Sequence, residues 1–98
     1  MTQITGSLSK KRIVIEIIGH AGVTDICNAE STLTYTLAEN LKREAGRRFD
    51  FMTADGRALL KVEKPSQQER LITEAFLLGF EMLAYNFTEN VVMDIREE

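Results

Sequence analysis

The chain has one cysteine and one histidine, Cys27 and His20, with six residues between them. A thiol within reach of an imidazole is the minimal equipment for covalent acyl chemistry. The imidazole removes the thiol proton and later returns it to a leaving amine. Cys27 falls where a helical pattern begins, so the unpaired first-turn amides and the positive end of the helix dipole favour a thiolate. The same amides are suited to stabilise an oxyanion. Against this stands the commoner fate of such residues: a lone cysteine in a helix is usually a small buried hydrophobe, and a lone histidine usually just ends a strand. One Cys and one His leave a metal coordination sphere short, so no metal and no cofactor are expected. No phosphate-cradling glycine loop, serine-nucleophile elbow or zinc spacing is present.

These two residues need a scaffold that brings a strand end to a helix start. Residues 11–18 read as a strand with β-branched residues on both faces, which suits a central position in a sheet. Its pattern stops at Gly19-His20-Ala21-Gly22, where two glycines permit a tight turn. A helix over 25–45 follows, with Ile26, Ala29, Leu33, Leu37 and Leu41 on one stripe. Thr24 or Asp25 is positioned to cap it, Lys42 and Arg43 sit at its negative end, and Gly46 stops it. Asp55-Gly56 then marks a two-residue hairpin turn. Counting outward pairs Phe51 with Leu60 and Phe49 with Val62 on one face, and Asp50 with Lys61 and Arg48 with Glu63 on the other.

Pro65 ends the hairpin, and Ser66-Gln67-Gln68-Glu69 is a capping box for a second helix to about Phe87. That helix is apolar on more than one side, the pattern of an element covered twice. Residues 2–8 suit a short edge strand and 91–95 a closing strand. The order strand-strand-helix-hairpin-helix-strand implies an α+β fold with two helices packed on a single mixed or antiparallel sheet. At 98 residues there is room for one domain.

The formal charge is −3, which argues against a nucleic-acid or anionic-membrane binder and suits a cationic protein partner. With no possible internal disulfide, and an apolar N-terminal run interrupted by Glu16, the chain reads as cytoplasmic. The Asp94/Glu97 and Glu39/Glu44 pairs read as solvated surface. Arg43, Arg47 and Arg48 read as a helix end running into a strand.

The stretch Gly19-His20-Ala21-Gly22, then Asp25-Ile26-Cys27, then Ser31 one turn on, resembles the ribosomal-processing cysteine protease (Prp) family. The likeness extends through Ser31–Leu37 and returns in the second helix and in Asn90-Val91-Val92. The resemblance implies a single domain over 1–98 and a hydrolase of the thiol-protease class. Its implied catalytic pair is Cys27 and His20, with Gly19 at the turn, Ser31 below the thiol and Asp25 matching the family's Asp with a shift. It further implies a homodimer and a protein substrate, the N-terminal extension of a ribosomal or phage structural protein. The rival is a catalytically inactive dimeric binding module of the same fold. Two features differ from the family pattern. The His20–Cys27 loop is shorter, and Asn28 and Glu30 stand where small or apolar residues are expected.

Overall fold

The computed structural model describes residues 1–98. Strands β1 (Thr2–Leu8) and β2 (Arg12–Gly19) lead into helix α1 (Thr24–Ala45), and a 3-10 turn (Gly46–Arg48) follows. Then come β3 (Phe49–Ala54), β4 (Arg57–Glu63), helix α2 (Gln67–Asn86) and β5 (Val91–Glu97). The five strands form one sheet in the order β3-β4-β2-β1-β5. Every pairing is antiparallel except β1 with β5. The architecture is the expected α+β, two helices on a mixed sheet.

Alternation along the strands decides which face the helices cover. In neighbouring strands Ile13 lies opposite Val62, Ile15 opposite Leu60 and Ile17 opposite Ala58, and all six are buried. On the other side of β2, Ile4 and Leu8 of β1 continue that face. The helices close the same core with Leu37 and Leu41 from α1 and Leu77 and Phe80 from α2. The opposite face is open and carries ion pairs such as Arg57–Glu16 at 2.6 Å.

The hairpin register is the expected one at three pairs: Phe51 with Leu60, Asp50 with Lys61, and Phe49 with Val62. Arg48 departs from it. The 3-10 turn lifts Arg48 out of the strand, and its guanidinium reaches the Glu69 carboxylate at 2.8 and 2.7 Å. It also donates to the carbonyls of Glu63 and Lys64. Glu69 is simultaneously the third helical residue of the Ser66 capping box, which is formed in both directions. One buried carboxylate therefore fastens the start of α2 to the base of the hairpin.

Two further expectations are corrected. β1 is internal, held by β2 on one side and by β5 on the other, because the last strand returns parallel to it. The second apolar side of α2 is uncovered: Leu71, Leu78, Met82 and Tyr85 are exposed. Between that side and β5 lies a shallow depression of about 790 Å³ bordered by Leu78, Met82, Tyr85, Met93 and Ile95.

Candidate active site

β2 ends in a residue only glycine can supply. Gly19 has φ +97°, and a side chain there would overlap the Met1 carbonyl oxygen. Its amide donates to the Gly56 carbonyl at 2.8 Å, which fixes the strand end against the hairpin tip. The chain then turns through His20 and the buried Ala21. The Ala21 carbonyl accepts from the Asn90 side chain at 2.8 Å, so the loop is tied to the start of β5 as well.

α1 begins at Thr24, one residue earlier than expected, which makes Val23 the cap residue. Thr24 and Asp25 are already helical and do not cap, and no side chain accepts from the first turn. The Cys27 amide is used within the helix, donating to the Val23 carbonyl at 3.0 Å.

Cys27 is half-buried and packs on the core. Cys27, Ser31, His20 and Gly19 all line one half-open cleft of about 160 Å³. Asp25 does not line it: it is exposed in the first helical turn. Neither Thr24 nor Ile26 lines the cleft.

The opposite wall comes from the hairpin, through Thr53, Ala54, Gly56 and Arg57. His20 therefore faces the hairpin tip. Its Nε2 lies 3.7 Å from the Asp55 carboxylate, and a side chain at position 56 would meet the same nitrogen at 3.1 Å. Both His20 and Asp55 are well exposed, so the pairing adds no appreciable stability.

Glu30, one turn beyond Cys27, lines the same cleft yet is 94% buried, its exposure being 6%. One carboxylate oxygen accepts from the Thr2 hydroxyl at 3.0 Å, and the other, Oε2, has no partner. Burial raises its pKa above the ordinary value, with the Thr2 hydroxyl, the chain's amino terminus and His20 opposing that rise. Arg57, the other charged residue on the wall, is occupied by Glu16.

Tyr35 borders both this cleft and a second depression of about 410 Å³, which runs on along α1 past Ala38 to Phe49 and Phe51. The Tyr35 and Phe51 rings meet edge to face at 5.7 Å, and Phe49 stacks on Phe51 at 6.2 Å. Together they make a groove between α1 and β3, the edge strand of the sheet.

Sequence reasoning missed Thr2, Tyr35, Asp55 and Arg57 as site residues, and it saw Glu30 only as a departure. The hairpin tip reaches His20 because β4 pairs with β2, Arg57 opposite Ile18. No local signal announces that pairing.

No protein-family model matches the chain, and no curated protein matches it. Among solved structures, SMU.848 from Streptococcus mutans is 30% identical with a TM-score of 0.80, over 100% of this chain and 96% of that one. The essential ribosomal processing protease Prp from S. aureus, in complex with a covalently linked product peptide, aligns with a TM-score of 0.82 at 17% identity. That alignment spans 97% of this chain and 99% of that one. The same protease in complex with a substrate peptide aligns at 0.76 and 13% identity, with the same coverage. No helix is long and apolar enough to cross a membrane. The chain shares its fold with Prp, and by its identity over the full length it belongs to the same family as SMU.848.

Proposed function

We propose that this protein is a Prp-like cysteine endopeptidase with Cys27 as nucleophile and His20 as base and acid. The observation that carries the reading is the meeting of the only thiol and the only imidazole on one cleft. It is supported by the fold shared with a protease solved with peptides bound. In the first half-reaction His20 takes the Sγ proton and the sulfur adds to the scissile carbonyl. The positive end of the α1 dipole, close to Cys27, favours the developing oxyanion. The C–N bond breaks as His20 protonates the amine, leaving a thioester. Water, deprotonated by His20, then releases the carboxylate and restores the thiol. Gly19 and Ser31 support the pair, the one by setting the turn before His20, the other by lining the cleft one turn past the thiol.

The groove past Tyr35 is shaped for an extended peptide lying beside the edge strand β3, whose outer backbone groups are open to pairing. The substrate class is the N-terminal segment of a ribosomal or phage structural protein. A cationic protein of that kind is attracted at low salt by a chain of net charge −3. The exposed side of α2 is where a second copy would dock to form a homodimer, and the setting is cytoplasmic.

The test is the pH dependence of Cys27 alkylation by iodoacetamide. Labelling should proceed at pH values below the free-cysteine pKa of about 8.5 and slow in His20→Ala. Peptides bearing N-terminal segments of ribosomal and capsid proteins should be cut by the wild type and not by Cys27→Ala. A labelling rate equal to that of free cysteine and indifferent to His20 would refute the pairing. Activated labelling without cleavage would favour the binding-module alternative.

A further inference from the structure

We infer that Glu30 is an anionic receptor in the cleft for a cationic side chain, that of a lysine or arginine next to the bond being cut. The inference rests on the endopeptidase reading for its substrate and deepens it. Its basis is an imbalance in hydrogen bonding. Glu30 is 94% buried (6% exposed), yet only Oε1 has a donor, the neutral hydroxyl of Thr2. Oε2 has none, although buried carboxylate oxygens are almost always satisfied.

The charged and titratable groups facing Glu30 leave that oxygen unserved. From β1 there is the chain's amino terminus, which is committed to the His20 carbonyl at 2.6 Å. From the end of β2 there is His20, whose Nε2 points to Asp55. From α1 there is Cys27, and from β4 Arg57, which is held by Glu16. No protein cation hydrogen-bonds the carboxylate.

A ligand cation would supply both the missing donor and the missing charge. An apolar side chain would supply neither and would leave the carboxylate worse solvated than before. A neutral donor would supply only the first. The terminal torsion of a glutamate is broad, so the carboxylate turns as a unit to meet an entering head group. Glu30 lies one turn from Cys27 on the cleft-lining face of α1, which puts the recognised residue beside the thiol.

The test uses the lone cysteine as a reporter. Methanethiosulfonates carrying a trimethylammonium-ethyl or a sulfonato-ethyl head form a disulfide with Sγ and release methanesulfinate, and intact mass follows the rate. The ratio of the two rates cancels the thiolate fraction and reads the charge beside the thiol. In the wild type the ratio should favour the cationic reagent and rise with pH as Glu30 ionises. In Glu30→Gln it should drop about tenfold, since attraction for one reagent and repulsion of the other are lost together. A wild-type ratio no greater than that of free cysteine at every pH from 5 to 9 overturns the inference, as does a ratio equal in both proteins. Because the wild-type pH series stands alone, the inference remains refutable even if the variant misfolds.

Peptides differing only by lysine, arginine or norleucine beside the cut supply the second arm. Lysine and arginine peptides should be cut faster by the wild type and lose that advantage in Glu30→Gln. Equal cutting of all three by the wild type also overturns the inference. A charge-selective thiol with no peptide cut leaves Glu30 as a cation receptor and removes the endopeptidase reading instead.

Discussion

Replacing Glu69 by glutamine tests the tie between α2 and the hairpin that walls the cleft. Arg48 and the Ser66 cap together hold the Glu69 carboxyl down, from 4.5 to about 2, with the paired hydrogen bonds from Arg48 the largest cause. A depressed acid stabilises the fold above its unfolded pKa, and the contribution is lost as pH falls through the folded value. The window is therefore pH 4.5 down to about 2. At about 1.4 kcal/mol per pH unit, the difference corresponds to roughly 3 kcal/mol at neutral pH. Glu69 is buried, but the side chain of its partner Arg48 is 38% exposed, so solvent screening makes this figure an upper bound. Glutamine keeps the shape and one cap acceptor but turns an amide toward the guanidinium. Denaturant unfolding of wild type and Glu69→Gln at intervals from pH 2 to 7 would show a gap of up to about 3 kcal/mol at pH 7 that closes toward pH 2. For a domain of this size that bound is a Tm difference of roughly 12–24 °C at neutral pH. A gap that stays constant from pH 7 to 2 would refute the charge argument and leave only lost packing.

Glu30 should behave with the opposite sign: its raised pKa makes the ionised form a burden, so the stability of Glu30→Gln relative to wild type should rise as pH increases above 4.5. A pH series of melting curves checks this, and parallel curves would contradict it. Gly19→Ala should cost about 2 kcal/mol or more, since positive φ and overlap with the Met1 carbonyl act together. Gly22→Ala, with φ +84° and open space around it, should cost about 1 kcal/mol; equal melting temperatures for the two variants would be the contrary result. Sedimentation equilibrium should give twice the 11.1 kDa chain mass for wild type, and Leu78→Glu on the exposed side of α2 should give a monomer. A monomeric wild type at micromolar concentration would remove the dimer.

Where local rules act alone, sequence and structure agree closely. The Asp55-Gly56 turn sets the register of Phe49, Asp50 and Phe51, and the Ser66 capping box opens α2 where its residues dictate. Gly46 ends α1, its amide bonding the Lys42 carbonyl. Agreement stops where a partner from elsewhere in the chain outbids the local one. Arg48 leaves the strand register opposite Glu63 and takes the Glu69 carboxylate, because a buried, already capped carboxylate is the better acceptor. In α1 the core-facing stripe passes through Glu30 and Thr34 as well as Leu37 and Leu41. A stripe drawn by apolar type alone misses both polar members, and with them the floor of the cleft. His20, Cys27, Gly19 and Ser31 line one cleft, an arrangement that a short loop between adjacent elements is enough to produce. The hairpin wall was not legible, because strand order decides it.

The parallel pairing of β1 with β5 joins residues 2–8 to residues 91–97, almost the whole chain apart. Contacts of such sequence separation raise contact order and are closed late in folding. During synthesis β1 and β2 emerge first, yet β1 must wait for β5 before its second edge is paired. Thr2 waits with it: its amide bonds the Asn90 carbonyl, and its hydroxyl is the sole partner of the Glu30 carboxylate. Asn90 in turn holds the loop between His20 and Cys27. The cleft is thus finished by β5, and during synthesis its thiol would stay unassembled until that strand was free to dock.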